Sequence, residues 1–421
     1  MFRLTNRLVF IGAIAVAFTT AQAADPSPLA PVLQAAVDKH EVAGTVVLVA
    51  DKERVLDLEA AGFSSLSAKT PMKTDALFWI ASMTKSFTGA ALMMLVDEGK
   101  VSLDDPVEKY LPEFKGQMVA EEGIEMHPPA HPVTVREIMN HTSGVAVPQD
   151  PAFKGKYTLK EIVEVVGKLP LRREPGTKYE YNNSGINTGG RIIEVVSGMS
   201  YVDFMQQRLF TPLEMKDTTF FPNEEQGSRM ARSARFTEDK KDLEDINNAK
   251  GITPQLIAKL SEGQDLKVSQ VLIENMGMGV ITEAAHRYGQ PAGGLYSTAS
   301  DVGRFCQMLL NGGTWHGHRY LSEAAVKTLA TSQTGDVVVN PNEGYGVGFS
   351  VKLKDDEGPA PGSFGHRGAR RTVMWVDPTH QLVMVALLQR MDMSGEQQKD
   401  FYGSVFWAMV EKFGKKSDGK L

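Results

Sequence analysis

Ser82 and Lys85 stand three residues apart in the stretch WIASMTKSFTGAALMML, Trp79 to Leu95, where an apolar run gives way to helical spacing. Phe87, Ala90, Ala91, Met94 and Leu95 recur at i, i+3, i+4, i+7 and i+8, which predicts a helix from Thr84 to Gly99. Ser82 then lies at the helix N-terminus, where free backbone N–H groups and the dipole favour negative charge, and Lys85 is one turn on. A hydroxyl becomes a nucleophile once a base takes its proton, and a lysine serves as that base when burial lowers its pKa. The leading amides can hold the oxyanion that forms. An isolated S-x-x-K nevertheless reads more simply as a helix cap followed by a solvated lysine, since most lysines are exposed.

Two further clusters give the pair company. Tyr181-Asn182-Asn183 is a Y-x-N in PGTKYEYNNSG, just ahead of a helix expected from Ile186. A tyrosine hydroxyl can relay a proton, and an asparagine amide can donate to a substrate carbonyl while bonding the lysine. Alone, the segment reads as a loop tyrosine before a turn. His366 and Gly368 form an H-x-G in FGHRGARRTVMWVDP, where a strand is expected to begin. The glycine would let a substrate approach the backbone closely; the simpler reading is a satisfied surface histidine beside a bulge glycine. Arg367, Arg370 and Arg371 crowd the same segment of an acidic chain. They could pair with an anionic substrate such as a peptide C-terminus, or simply face water and pair with acids. The latter is the simpler reading.

Other reactive residue types fit chemistry less well. His127 and His131 in HPPAH, and His316 and His318 in HGH, lack a carboxylate or cysteine at ligand spacing, so no functional metal is expected. His141 in NHTSG reads as a helix-ending turn, not a base. Cys306 shares a helix face with Val302, Phe305 and Leu309 and is expected to be a buried, inert thiol.

Taken in order, S-x-x-K on an early helix, Y-x-N before a middle helix and H-x-G at a late strand resemble the penicillin-recognising serine hydrolases, for which S-x-x-K is a marker. In detail the sequence is most similar to the class C β-lactamase-like group, with the family VIII carboxylesterases and D-aminopeptidase-type relatives. DEGKVSLDDPVEKYLPEF, VTVREIMNHTSGV, PAGGLYSTASDVGRF and YGVGFSV match that group too, and the likeness runs roughly from Leu33 to Gln389, interrupted over 223–290. The resemblance implies that Ser82 attacks a carbonyl and is acylated, that Lys85 and Tyr181 share the general-base role, and that Asn183 orients Lys85 and the substrate. It implies an oxyanion hole from the N–H groups of Ser82 and Ala369, hydrolysis of the acyl-enzyme by water, and no cofactor.

His366 stands where β-lactamases carry the lysine of K-T-G. That lysine offers a permanent charge to the β-lactam carboxylate, whereas a histidine is mostly neutral at pH 7. H-x-G at this place resembles the esterase branch. The expectation is therefore an exported serine hydrolase acting on a small-molecule ester, amide or peptide, an esterase first and a β-lactamase or D-amino-acid peptidase second. The remaining alternative is a non-catalytic scaffold that kept the fold. Ser82, Lys85, Tyr181 and Asn183 together argue against it, because a lysine charge inside a pocket is costly.

The elements that must position these residues follow from periodicity. Leu29, Val32, Leu33, Ala36 and Val37 share a helix face; GTVVLVA (Gly44 to Ala50) and RVLDLEAAG read as paired strands around the turn DKE. At the far end YGVGFSVKL reads as one strand, RTVMWVD and LVMVALLQ as a hairpin around PTHQ, and SGEQQKDFYGSVFWAMVEKF as a helix capped by Ser394 and Gln397. Phe401, Val405, Phe406, Met409 and Val410 would be its buried stripe. Helices are expected over Thr134–Asn140, Leu159–Lys168, Ile186–Ser197 and Tyr201–Leu209, and 223–290 reads as an elaborated insert. The fold class expected is α+β, a sandwich with an antiparallel sheet built from both chain ends and flanked by helices. Residues 24–80 and 291–421 would form the sheet-and-helix region and 81–290 the mainly helical one, with the site at their seam.

Composition bounds the rest. At 42% hydrophobic and 23% charged, 421 residues can bury a substantial core, and a formal charge of −6 with no basic run excludes nucleic acid as an expected partner. Arg3 and Arg7, the apolar run Leu8 to Phe18 and the A-Q-A at Ala21–Ala23 form the pattern of a secretory signal peptide over 1–23, the run being short for a membrane span. No second stretch is long enough to span, so a periplasmic or secreted protein is expected. One cysteine allows no internal disulfide.

Overall fold

In a computed structural model, residues 27–147, 158–246, 288–355 and 358–415 are described. The signal pattern, and most of the 223–290 insert, fall outside them. An eight-stranded antiparallel sheet is formed by β1 (Gly44–Ala50), β2 (Val55–Ser65), β3 (Thr70–Pro71), β4 (Glu343–Tyr345), β5 (Ser350–Lys352), β6 (Phe364–Arg367), β7 (Val373–Asp377) and β8 (Leu382–Leu388), in the order β4-β5-β6-β7-β8-β1-β2-β3. The two chain ends meet where β1 pairs with β8, from Thr45 opposite Leu388 to Ala50 opposite Val383.

Continuous apolar strands belong at the centre of a sheet covered on both faces. In β1 every residue is buried, and the side chains alternate: Val46, Leu48 and Ala50 enter one core, Val47 and Val49 the other. The smaller core is closed by helix α1 (Leu29–Asp38) and by the C-terminal helix Gly395–Phe413. Ser394 and Gln397 form the expected capping box on that helix, and Phe401, Val405, Phe406 and Met409 are its buried stripe, with Val410 half-buried.

The larger core packs against α2 (Thr84–Asp97), α3 (Val135–Asn140), α4 (Leu159–Lys168), α5 (Asn183–Ser197), α6 (Tyr201–Met205), α8 (Ala299–Leu310) and α9 (Glu323–Leu329), while the short α7 (Glu224–Ser228) contributes no residue to it. The C-terminal helix is then α10. α2 is the central pillar: Thr84 through Leu95 are all buried, so it is enclosed on every side instead of showing one wet face. Cys306 on α8 is fully buried, and burial pushes its thiol pKa up, as an inert cysteine requires.

Three expectations need correction. YGVGFSVKL is not one strand but two, β4 and β5, joined across Gly346 to Phe349. Gly348 has φ +77°, and a Cβ there would lie 2.4 Å from the Lys85 carbonyl oxygen, so the turn exists to seat against α2. The helix expected from Ile186 begins at Asn183, capped by the Asn182 side chain on the Ser184 amide. The helix over Tyr201–Leu209 continues past Met205 only as a wider π-helical turn through Phe210. In the described part of the insert, α7 is followed by a two-stranded hairpin, Ala234–Phe236 with Leu243–Asp245.

Candidate active site

The serine is presented by a strained turn. A two-residue strand, Phe78–Trp79, pairs with Tyr296–Ser297 and leads into a 3-10 turn, Ala81–Met83, that runs on into α2. Ala81 takes φ +46°, a left-handed conformation costing about 1 kcal/mol for a residue with a Cβ. The segment Pro291 to Leu295 braces this turn. The Ile80 amide donates to the Leu295 carbonyl at 3.0 Å, the Leu295 amide to Thr84 Oγ1 at 3.1 Å, and Trp79 Nε1 to the Gly293 carbonyl at 2.7 Å.

Ser82 and Lys85 do meet. Lys85 Nζ lies 3.2 Å from Ser82 Oγ and donates to the Ala292 carbonyl at 2.6 Å. It is completely buried, and loss of solvent holds its pKa well below the usual 10.5. A buried amine with its N–H on a carbonyl keeps a lone pair for the serine proton. Tyr181 joins them: its hydroxyl hydrogen-bonds Ser82, and its ring lies 4.6 Å from Lys85 Nζ. The residue as a whole is 44% exposed at the mouth, but burial around the hydroxyl pushes its pKa up to about 12, with the Ser82 bond pulling the other way. Tyr181 is thus a neutral phenol at ordinary pH.

Asn183 does not hold Lys85. It is exposed at the first position of α5, and the Lys85 amine is held by the Ala292 carbonyl in its stead. His366 is not on the surface: it is 4% exposed, within β6, and not at the start of a strand. Its Nδ1 lies 2.7 Å from the Arg367 carbonyl, which only accepts, so Nδ1 carries the proton. Nε2 therefore accepts from the Tyr345 hydroxyl at 2.9 Å. Burial first, then the Lys85 charge, pull the His366 pKa down to about 3, and the imidazole is neutral. Gly368 is required by backbone, not by a ligand: a Cβ would lie 2.5 Å from the Ile80 carbonyl oxygen, two residues before Ser82. Ala369 follows in an exposed turn closed by the Arg371 amide on the Gly368 carbonyl.

The arginines disperse. Arg367 forks onto Glu343, at 2.8 and 3.2 Å, and lies over Trp375 on the face opposite His366. Arg370 is buried with its guanidinium over Trp79, and Arg371 reaches the Met391 carbonyl. His127 and His131 do have carboxylates nearby, Glu174 and Glu137, each at 3.5 Å and brought from elsewhere in the chain. Sequence reasoning missed Tyr345 and Tyr179, which with His141 and Tyr181 form an aromatic wall of the site, and the Ala292 carbonyl, which no side chain could signal; His141 ends α3 as its turn-like setting suggested.

A model of the beta-lactamase family matches residues 29–404. The chain belongs to the beta-lactamase family. Members of this family are serine hydrolases, and the fold is theirs. Protein Rv1367c of Mycobacterium tuberculosis is 28% identical over 381 residues, 84% of this chain and 87% of that one. The lovastatin esterase of Penicillium rubens is 31% identical over 206 residues, 45% of this chain and 51% of its own. Among solved structures, EstCE1, described as a hydrolase with promiscuous acyltransferase activity, superposes with a TM-score of 0.71 at 22% identity, covering 90% of this chain and 97% of EstCE1. The simvastatin synthase LovD of Aspergillus terreus gives 0.70 at 16% identity, over 93% of this chain and 100% of its own.

Proposed function

We propose that this protein is an exported serine esterase working through an acyl-enzyme. Ser82 Oγ attacks the ester carbonyl carbon as its proton passes to the Lys85 amine, 3.2 Å away. The carbonyl oxygen becomes an oxyanion beside the Ser82 amide, one of the leading N–H groups of its helical turn, and the Ala369 amide. As the C–O bond breaks, the Tyr181 phenol protonates the departing alkoxide and recovers its proton from the Lys85 ammonium. Water then takes the alcohol's place, and the same transfers release the acid and restore Ser82. With its pKa near 12, Tyr181 serves as acid and relay, which leaves the base role to Lys85. Asn183, on the rim, is available to the substrate.

The observation that carries the choice of ester is the state of His366. Both ring nitrogens are engaged, by the Arg367 carbonyl and the Tyr345 hydroxyl, and the ring is uncharged. A β-lactam or a peptide C-terminus brings a carboxylate that would find no cation there. A neutral ester has no such need.

The test is the initial rate of the purified protein and of Ser82→Ala on 4-nitrophenyl acetate and on nitrocefin. We expect ester turnover that falls by at least about 1,000-fold in Ser82→Ala, with nitrocefin hydrolysed far more slowly than the ester. Nitrocefin turned over faster than the ester would overturn the ester reading, and equal ester rates for both proteins would overturn the nucleophile.

A further inference from the structure

His141 carries three structural costs at once. It sits at the end of α3 with φ +68°, a conformation expensive for a residue with a Cβ. Its imidazole is 2% exposed and walled by aromatic rings, with Tyr181 at 4.5 Å and Tyr345 at 4.6 Å between centroids. Its Nε2 has no hydrogen-bond partner among the described residues, although buried polar atoms are seldom left so. Costs of this kind gather where function holds them in place.

What His141 does is visible in its other contacts. Its carbonyl accepts the Glu180 amide at 2.8 Å and its Nδ1 accepts the Asn182 amide at 3.2 Å. The two bonds fall on either side of Tyr181, and the imidazole packs on the Tyr181 ring between them. Because Nδ1 is spent on the Asn182 amide, the neutral ring carries its proton on Nε2 and has no lone pair to give a substrate. That excludes a general-base role, and the contacts His141 does make include the chain on either side of Tyr181 and its ring.

We propose that His141 is a positioning residue: by holding the amides before and after Tyr181, and the face of its ring, it fixes the phenol against Ser82 and Lys85. A phenol free to swing from the mouth would lose its line to Ser82 Oγ, and misplacement of a relay group by one ångström can cost on the order of 100-fold in rate. The inference rests on the esterase reading, and the two fail separately. An inactive wild type overturns that reading, whereas an active wild type with an indifferent His141 overturns only this one.

The experiment is a double-mutant cycle on 4-nitrophenyl acetate, with melting temperature followed in every variant. His141→Ala should lower kcat about 30-fold with KM within about twofold. His141→Asn, whose amide oxygen can take the place of Nδ1 and which tolerates the left-handed backbone, should recover to within about threefold of wild type. In a Tyr181→Phe background His141→Ala should cost less than about threefold, because the hydroxyl it positions is gone. Should His141→Ala fail to fold, His141→Leu refills the volume without an acceptor and takes its place in the cycle. The proposal is overturned by the same fold-loss in both backgrounds, by no loss in either, or by an Asn variant as slow as the Ala variant.

Discussion

At the scale of single residues, the site is a problem of where one proton resides. Lys85 is needed as an amine, so kcat/KM should rise with pH through its depressed pKa and level off below the region near 12 where Tyr181 ionises. His366, held to about 3, and His141, pulled well below 6.5 by burial, should add no limb of their own between pH 5 and 8; a second step there beside the Lys85 rise would contradict their neutral state. The same burial has a sign in stability. Up to about pH 10.4 the unfolded chain binds a proton on this lysine. The folded chain has released it above its own lower pKa, so between the two values stability rises with pH. At neutral pH, therefore, Lys85 weakens the fold. Lys85→Met should abolish esterase activity and raise stability by about 1–2 kcal/mol, read as a higher melting temperature at pH 7.5. A lower one would mean that the amine is held as a well-satisfied cation. The residue types here were legible from the sequence, but their states were not. Asn183 is exposed and His366 buried because burial is set by the turn before α5 and by β6, which no local pattern announces.

At the scale of elements, the site depends on backbones that touch. The turn between β4 and β5 lies across α2: Ser86 Oγ donates to the Gly348 carbonyl at 2.8 Å, and a Cβ on Gly89 would lie 2.1 Å from the Val347 carbonyl oxygen. The Gly348 amide reaches the Met139 carbonyl of α3 at 3.3 Å, two residues from His141. Gly348→Ala would force a Cβ into the Lys85 carbonyl at a left-handed position, so it should cost about 2–4 kcal/mol and lower kcat as Lys85 shifts. Denaturant melts and ester kinetics on one preparation check both. This turn also marks the limit of sequence reading. The helix α2, the hairpins of β1 with β2 and of β7 with β8, and the capping box of α10 announce themselves by period and by cap chemistry. YGVGFSVKL does not, because Val347, Phe349 and Val351 favour a strand locally and only the partner helix demands the break. The Lys85-to-Ala292 bond is equally silent, since any residue offers a carbonyl.

At the scale of the whole molecule, the two-faced sheet and its helices form one frame for the serine, and the family match over 29–404 spans that frame. Export stands as part of the proposal, resting on Arg3, Arg7, the apolar run and A-Q-A. Expressed with its leader in a bacterial host, the protein should be recovered from the periplasm beginning at Ala24, as N-terminal sequencing would read; an intact Met1 in the cytoplasm would remove that part. The joining of β1 to β8 bears on how the chain can fold at all. Thr45 Oγ1 bonds the Leu387 carbonyl across 342 residues, so the centre of the sheet cannot close until β8 has been made, long after β1. Such distant pairing makes folding slow and late. A ribosome releasing this chain releases a polymer still open at its middle, one that can be threaded through a narrow passage before its last strand arrives to lock it shut.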